Sequence, residues 1–287
     1  MSKLFVVGTP IGNLQDLSPR AIEVLSTVSF IACEDTRQTM KLLQVFHIHT
    51  PLIACHMHNE HFRGEQLAER MLAENVDAAL VTDAGMPCIS DPGYLFVREC
   101  AMREIEILSV PGCCAAPSAI SVSGMDAREW TFYGFLPREK KELRDKLKAI
   151  GREERLAVIH ESPYRILELL TMIQDVLPQS EVSVSCDLTK LHELTLRGSV
   201  ETVLKQMQSN PKVEKGEYCL VLKPAKASED VAPESQELPV EWLILKHMLD
   251  GESLRDAQES VQKSGIKRNA VKQAAIHIKN KLEEAFL

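Results

Sequence analysis

The stretch LFVVGTPIGNLQDLSPR, residues 4–20, leads from a short apolar strand through a loop with two glycines and a proline into a helix start. A strand, a glycine-rich loop and a helix often hold a phosphate group. The loop at residues 8–13 matches neither the dinucleotide-binding pattern nor the phosphate loop that ends in Lys-Ser/Thr, and Pro10 lacks an N–H donor. Its glycines still allow a close approach of the backbone. The loop is therefore either a tight turn or the wall of a site for an apolar or cationic ligand.

Apolar runs alternate with helical patterns from this loop to residue 124. The alternation predicts an α/β fold whose first domain, residues 1–124, contains a parallel sheet. Ligands of such sheets bind beyond the carboxyl ends of the strands. The predicted strands of this domain are 4–7, 30–33, 52–55, 78–81 and 105–110.

A second series of strands and helices occupies residues 125–224. The short connections before its fourth strand and after it favour antiparallel pairing. We therefore expect a second α/β domain with a mixed sheet. Its predicted strands are 130–135, 156–160, 182–187, 194–197 and 218–223, and its predicted helices are 139–150, 163–176 and 199–209.

The composition changes at residue 225. Residues 225–239, AKASEDVAPESQELP, carry four acids and two prolines, which predicts a solvated linker. Residues 240–287 show helical patterns only, and the turn SGIKR has the length and the glycine of a helix-turn-helix. Between residues 261 and 281 there are six basic residues and no acid, so this tail is either a solvated helix face or an RNA-contacting one. The six are Lys263, Lys267, Arg268, Lys272, Lys279 and Lys281.

Composition excludes several classes of protein. The net charge of −8 argues against broad affinity for nucleic acid, though local basic patches remain possible. No apolar run approaches the roughly 20 residues of a membrane helix, and we expect no signal peptide. Eight cysteines at irregular spacing, without a CxxC pair, favour reduced thiols in the cytoplasm over disulfides or a zinc site.

Two further loops are rich in glycine and proline. They are VTDAGMPCISDPG, residues 81–93, and SVPGCCAAPSA, residues 109–119, and each follows a predicted strand. In the first, Asp91 and Pro92 are expected to start a helix, as are Ser18 and Pro19 earlier in the chain and Ser162 and Pro163 later. Three irregular loops at one sheet edge exceed what turns alone require, which favours a ligand site.

Nine motifs now support a resemblance. In order along residues 4–224 they resemble motifs of the small-subunit ribosomal RNA cytidine 2′-O-methyltransferases, a family of the tetrapyrrole methylase superfamily. They are GTPIGNLQDLSPRA, CEDTR, HMHNE, VTDAGMPCISDPG, PGCCAA, GFLPR, HESPYR, DLTKLHE and KGEYCLV. The helical tail is similar to the helix-turn-helix extension of that family.

The resemblance implies a two-domain tetrapyrrole-methylase-like fold that binds S-adenosylmethionine in the cleft between its α/β domains. It implies methyl transfer to the ribose 2′-OH of a cytidine in 16S rRNA of the small ribosomal subunit. It also implies a homodimer in the cytoplasm, with no role for a membrane.

The cofactor residues follow from the same resemblance. The first loop, with Pro10, would line the cleft rather than hold a phosphate. Leu188 and the Lys223-Pro224 segment would border the adenine. The residues that the resemblance places around the cofactor are Pro10, Asp83, Gly85, Cys88, Ile89, Ser90, Ala115 and Ala116.

Candidate catalytic residues lie in three of the motifs. Methyl transfer from a sulfonium requires alignment of the ribose oxygen and an aid to its deprotonation. Glu34 and Asp35 follow the second strand and either act in this way or cap the next helix. Glu161 and Arg165 either act in the chemistry or form an internal ion pair. Lys190 either neutralises a developing negative charge or is a surface lysine. The full set is Glu34, Asp35, Arg37, Glu161, Arg165 and Lys190.

Substrate contacts are expected in two places. His56, His58 and Asn59 resemble a family segment on the substrate side, and Lys267, Arg268 and Lys272 would meet RNA phosphates. The histidine spacing fits no standard zinc pattern, and the chemistry needs no metal.

Two other functions remain open. A corrin or sirohaem type of tetrapyrrole methylase shares the fold and the glycine loops. A non-catalytic RNA-binding protein would rest on the tail alone and would leave the three loops unexplained.

Overall fold

The computed structural model describes residues 2–57, 59–225 and 240–285. The chain divides into two compact units, Met1–Lys226 and Ala227–Leu287. The first unit contains two sheets with their helices, and the described residues of the second form helices and the turns between them. All but the first residue of the predicted linker 225–239 falls outside the described residues.

The first sheet consists of parallel strands, which confirms the predicted sheet type. Each predicted strand is present within one residue of its expected bounds. The strands are β1 (Lys3–Val7), β2 (Phe30–Cys33), β3 (Leu52–Ala54), β4 (Ala78–Leu80) and β5 (Glu106–Val110). Their order across the sheet is β3-β2-β4-β1-β5.

Helices cover both faces of this sheet. They are α1 (Pro19–Thr27), α2 (Thr36–Val45), α3 (Glu60–Glu74) and α4 (Tyr94–Met102). A fifth helix, α5 (Ala115–Ser123), follows β5. Phe30 and Phe96 belong to the apolar core on one face, and Leu25 and Ile31 to the core on the other. Because both faces are buried, the strands are apolar throughout, and loops at the strand ends must provide any polar site.

The second sheet is mixed, as the sequence predicts. Its strands are β6 (Trp130–Phe135), β7 (Leu156–Glu161), β8 (Glu181–Cys186), β9 (Leu194–Ser199) and β10 (Tyr218–Lys223). They lie in the order β6-β7-β10-β8-β9, and only the β6–β7 pair is parallel. The helices of this part are α6 (Lys140–Gly151), α7 (Ile166–Val176) and α8 (Val200–Gln208).

Helix α5 packs against the second sheet. Ala116 and Ala119 of α5 share an apolar cluster with Val158 of β7 and Val221 of β10. The three helices α6, α7 and α8 cover the opposite face of the same sheet. Successive strand residues point to opposite faces, so one sheet contributes to both clusters. This packing brings the loop before α5 next to the ends of β7 and β10.

Two predicted helix starts are wrong. Helix α4 begins at Tyr94, after Gly93 with φ 125°, rather than at Pro92, and α7 begins at Ile166 rather than Pro163. At α4 the cap comes from another helix. The Glu60 carboxylate accepts the N–H groups of Gly93 at 2.8 Å and Leu95 at 2.5 Å. A buried carboxylate at the positive end of a helix replaces the local cap, and Asp91 is left outside the helix.

Residues 240–285 of the C-terminal unit form the helices α9 (Val240–Leu249), α10 (Leu254–Lys263) and α11 (Arg268–Ala285). Ser253 caps α10 by accepting the N–H of Asp256. The helices share a small core that includes Ile244, Ala257, Val261 and Ile278. A four-residue turn at 264–267 joins the last two helices in a helix-turn-helix arrangement. No helix among the described residues is long and apolar enough to span a membrane.

Candidate active site

A cavity of about 410 Å³ lies where the carboxyl edge of the first sheet meets the second sheet. The first half of the chain contributes three loops, which follow β1, β4 and β5. The second half contributes strand ends and two loops. The lining residues are Ile11, Ala84, Gly85, Met86, Ile89, Ser90, Asp91, Cys114, Ala115, Ala116, Phe132, Phe135, His160, Glu161, Ser162, Pro163, Leu188, Gly216, Glu217, Tyr218 and Cys219. Most of this wall is apolar or backbone, with a few polar groups.

Glycines hold the three loops of the first sheet together. A Cβ on Gly8 would lie 2.6 Å from the Cα of Gly112, so only glycines allow this contact. Thr9 and Gly85 exchange two backbone hydrogen bonds of 2.9 and 3.1 Å. Gly85 has φ +90°, a conformation that side chains disfavour. The opening GTPIGN loop is thus more than a tight turn, because it is fixed to both neighbouring loops.

Five of the eight predicted cofactor residues line the cavity: Gly85, Ile89, Ser90, Ala115 and Ala116. Leu188, for which the resemblance implies a position near the adenine, lines it as well, whereas Lys223 and Pro224 do not. Cys88 packs behind the wall, within the core under β4.

The remaining two predicted cofactor residues, Pro10 and Asp83, line a second groove of about 440 Å³. Its other walls are Gly12, Leu14, Gln38, Lys41, Leu42 and Val45. Ile11 and Ala84 face the cavity, while their neighbours Pro10 and Asp83 face the groove. The same two loops therefore separate two concave surfaces.

Three carboxyl groups gather at the edge of the cavity. Burial raises the pKa of Glu34, of Asp83 and of Asp91, and the negative charges of neighbouring acids raise each pKa further. The Thr82 hydroxyl donates to Glu34 Oε2 at 3.3 Å, and it also lowers the pKa of Asp91 through a hydrogen bond. Of the three acids only Asp91 lines the cavity.

Asp35 and Arg37 form a pair of their own. Asp35 caps α2 by accepting the N–H of Arg37 at 2.8 Å, and the Arg37 guanidinium donates to both of its carboxylate oxygens at 3.0 and 2.7 Å. Arg37 lowers the pKa of Asp35 to about 2. This geometry matches the capping alternative. Neither residue lines the cavity or the groove.

Glu161 is a buried carboxylate in the cavity wall, 3% exposed. Its Oε1 accepts the N–H of Ser162 at 2.7 Å, and its Oε2 lies 3.5 Å from Arg165 Nη2. Arg165 also donates to the carbonyl of Pro137 at 3.0 Å, so the predicted internal ion pair is present and holds β7 to the loop after β6. The pair ties Glu161 to a fixed cation.

His160 stands beside Glu161 in the wall. Its ring contacts Phe132 and Phe135 edge to face, with centroid distances of 5.1 and 5.9 Å. Burial lowers the pKa of His160, which keeps the ring neutral near pH 7. Its Nε2 has no hydrogen-bond partner among the described residues.

Lys190 is held by two acids. Its ammonium contacts Asp187 at 2.8 Å and Glu217 at 3.0 Å. Burial opposes the charge, but the two hydrogen bonds outweigh it and raise the pKa of Lys190. The Lys190 stem crosses over Gly12, where a Cβ would lie 2.5 Å from Cγ. Lys190 thus joins the opening loop to the second sheet as a cation.

The predicted substrate residues are not gathered at the cavity. Asn59 accepts the N–H of His56 at 2.8 Å, and neither lines the cavity. His58 lies outside the described residues. Lys267, Arg268 and Lys272 are exposed on the C-terminal unit and form no ion pair with another described residue.

The residues that sequence reasoning missed come mainly from the second sheet: Phe132, Phe135, His160, Glu217, Tyr218 and Cys219. Asp91 was predicted to be a helix cap. The motifs HESPYR and KGEYCLV contain four of these residues, so membership in a motif was the available signal.

Comparison with known proteins identifies a family model and related sequences that match this chain. The family model of the Tetrapyrrole (Corrin/Porphyrin) Methylases matches residues 3–204. The chain is 40% identical over 271 residues to the ribosomal RNA small subunit methyltransferase I of Synechocystis sp., covering 94% of this chain and 90% of that protein. It is 37% identical over 284 residues to the protein of the same name from Bacillus subtilis, covering 97% and 95%.

Solved structures show the same fold at low identity. Diphthine synthase superposes with a TM-score of 0.60 at 12% identity and covers 77% of this chain and 90% of its own. The methyltransferase CobJ superposes with a TM-score of 0.56 at 14% identity and covers 78% and 95%.

Proposed function

Because the chain belongs to the tetrapyrrole (corrin/porphyrin) methylases, and among them to the ribosomal RNA small subunit methyltransferase I family, we propose that it methylates rRNA of the small ribosomal subunit with S-adenosylmethionine. The acceptor in this proposal is the ribose 2′-OH of a cytidine in 16S rRNA. The observation that supports it most is identity of 37–40% along 94–97% of the chain.

The cavity suits this cofactor. A volume of about 410 Å³ falls within the roughly 300–1,000 Å³ that small ligands and cofactors occupy. Ala115 and Ala116 leave room in its wall, and two buried polar atoms of the wall, Nε2 of His160 and Oε2 of Glu161, have no hydrogen-bond partner among the described residues. The acids beside the cavity favour a cationic ligand. The predicted cofactor residues Pro10, Cys88 and Asp83 would then support the wall from behind or from the groove.

When bound, S-adenosylmethionine supplies a methyl group that its sulfonium makes electrophilic. The chain's own residues have three tasks. The apolar wall, with Phe132 and Phe135, excludes water. The loops that meet at Gly8 and Gly112 keep the site rigid, which aligns the acceptor oxygen. A carboxyl group at the edge takes up the hydroxyl proton.

Fixed charges at the rim complete the proposed site. Lys190 remains protonated, so it can stabilise a developing alkoxide or a phosphate but cannot accept a proton. Arg165 and Glu161 position the β7 end of the wall. In the proposal Glu34 helps to position the carboxylate that accepts the proton, and the Asp35–Arg37 pair fixes the start of α2.

RNA contacts and assembly are further parts of the proposal. Exposed Lys267, Arg268 and Lys272 would meet rRNA phosphates, and His56, His58 and Asn59 would lie on the substrate side. We also propose a homodimer and a cytoplasmic location, which suits eight unpaired cysteines. The division into domains at residues 124, 224 and 239 remains part of the same proposal.

The direct test is methylation of small subunits prepared from cells that lack this modification. The purified protein and methyl-labelled S-adenosylmethionine are added, and the rRNA is digested to nucleosides and analysed by mass spectrometry. The expected product is a 2′-O-methylcytidine at one position. A methyl group on a base would refute the ribose assignment. Labelling of a tetrapyrrole but not of rRNA would favour the corrin or sirohaem type of activity instead.

A further inference from the structure

Asp91 occupies an unusual place for an acid that precedes a helix. The loop sequence Asp91-Pro92 resembles a helix start, yet Glu60 supplies the cap of α4 by accepting the N–H groups of Gly93 and Leu95. Asp91 is therefore released from the helix and forms part of the cavity wall. An acid that the fold does not need as a cap, and that faces the cavity, can take part in chemistry there.

The second observation is the position of the Thr82 hydroxyl. Thr82 is 2% exposed, and its hydroxyl donates to Glu34 Oε2 at 3.3 Å. A hydroxyl has one proton to donate. While Thr82 serves Glu34, that donor is not available to Asp91, and the Asp91 carboxylate is left free to bind a proton from elsewhere. Thr82 and Asp91 belong to the same loop, which follows β4.

Four other ionisable groups near the cavity are less suited to accept a proton. Burial lowers the pKa of His160, so its ring is a weaker base than that of an exposed histidine. Arg37 holds the pKa of Asp35 at about 2, and Asp35 does not line the cavity. Glu161 is bound to Arg165 and to a backbone N–H. Lys190 is a cation already, between Asp187 and Glu217.

The charged groups that face Asp91 all raise its pKa. Asp83, in the same loop, and Glu34, after β2, are acids that disfavour a negative charge on it, and the thiols of Cys88 and Cys114 border it without adding a cation. Burial is the largest cause of its raised pKa, and the Thr82 hydrogen bond opposes the shift. A carboxylate in these surroundings is a stronger base than an exposed one.

We propose that Asp91 is the proton acceptor for the ribose hydroxyl, with Thr82 and Glu34 as positioning residues behind it. The inference rests on the proposed function. The O–H bond of the ribose breaks and its proton moves to an Asp91 oxygen. The ribose oxygen keeps the electron pair and forms the new O–CH₃ bond, while the C–S electron pair leaves with the thioether. One proton and one methyl group are transferred, and no oxidant or metal is needed.

The test combines single-turnover rates with calorimetry. Asp91→Asn keeps the shape of the side chain and removes its basicity. Its rate of methyl transfer to small subunits should fall by about 10²- to 10⁴-fold, the usual contribution of a general base. The rate of the unmodified protein should rise with pH and then level off, and this inflexion should be missing in the variant. Binding of S-adenosylhomocysteine, measured by calorimetry, should stay within about twofold.

Two further variants keep the test decisive. Asp83→Asn removes a charge that raises the pKa of Asp91, so the inflexion should move to lower pH. This shift would be seen even if Asp91→Asn failed to fold. Asp145→Asn, on the exposed side of α6, is the matched control and should change neither the rate nor the inflexion.

The outcomes separate the hypotheses. An Asp91→Asn variant with an unchanged rate and an unchanged inflexion would overturn the proposal. So would loss of S-adenosylhomocysteine binding in proportion to the rate, because Asp91 would then be a cofactor contact. If the unmodified protein transferred no methyl group to a ribose, the proposed function would fail, whatever the variants did.

Discussion

Gly8 and Gly112 meet backbone to backbone: a Cβ on Gly112 would lie 2.6 Å from the carbonyl oxygen of Gly8. The two residues follow β1 and β5, neighbouring strands of the first sheet. Because neither loop has a side chain at the contact, the loops close over the strand ends and form one edge of the cavity. The wall of the candidate site therefore depends on this pair.

Gly112→Ala should destabilise the first unit by about 3 kcal/mol, since the new methyl group would press on backbone that cannot rotate away. Urea unfolding would measure the change. Gly124→Ala is the control, because a Cβ there meets nothing within 4 Å and only its φ of +75° opposes the substitution. The control should cost about 1 kcal/mol. Equal costs for the two variants would show that the loops can separate.

Ala115→Leu should fill part of the cavity and spare the fold. Ala115 lines the cavity at the start of α5, so a larger side chain would occupy ligand space. We expect affinity for S-adenosylmethionine to fall by about tenfold or more in calorimetry, with little change in melting temperature. Ala101→Leu, an exposed position on α4, is the matched control. Unchanged affinity in Ala115→Leu would place the cofactor elsewhere, for example in the second groove.

The Asp35–Arg37 pair should stabilise the fold in a defined pH range. The pKa of Asp35 is about 2 in the folded chain, below its usual 3.8. A lowered pKa means that the stabilisation is present above about pH 4 and is lost as the pH falls towards 2. Asn can still cap α2, so Asp35→Asn removes the charge pair and little else.

Thermal unfolding between pH 6 and pH 3 tests this expectation. The variant should melt below the unmodified protein at pH 6, and the difference should shrink towards pH 3. Arg37→Ala should behave in the same way, and added salt should weaken both effects because the pair is exposed. A difference that stays constant across the range would mean that the cap, rather than the charge, is what Asp35 contributes.

Basic residues of the C-terminal unit should determine how strongly salt weakens binding to small subunits. Replacing Lys267, Arg268 and Lys272 by alanine should lower the log–log salt slope by about 2 to 3. A matched triple variant on α6, with Lys140, Lys141 and Arg144 replaced, should change it less, because Lys140 and Arg144 already face Glu168 and Asp175 at 3.6 and 3.9 Å. An unchanged salt slope in the first variant would mean that the rRNA is bound by the two α/β domains instead of the C-terminal unit.

The secondary structure was predictable because each element carries its own local pattern. Apolar runs of four to six residues matched β1 and β7, and Ser18 with Pro19 started α1 as expected. The helix start at Asp91 failed because the cap of α4 comes from Glu60, which is 33 residues away from Gly93 in the chain. No local pattern reports a cap supplied by another helix.

The candidate site was predictable only in part, since its halves come from different sheets. Loops after strands of a parallel sheet share one edge, so the three glycine-rich loops could be assigned to one site from sequence. The family resemblance then implied Gly85 and Ala115 within these loops. The opposite wall, with Phe132 and His160, depends on how α5 packs on the second sheet. That packing is a long-range contact between apolar faces. Because many faces in the chain are apolar, the sequence does not indicate which two of them meet.

Local patterns in the sequence are enough to predict the alternation of strands and helices, the glycines that let loops approach, and the family to which the motifs point. Tertiary packing determines which side of a loop each residue faces, so that Ile11 borders the cavity while Pro10 borders the groove. Tertiary packing also determines which acids are engaged by distant partners, because Glu217 contacts Lys190 and Glu60 caps α4. Periodicity and backbone preference are local, whereas these contacts and the packing of apolar faces depend on distances between residues far apart in the chain.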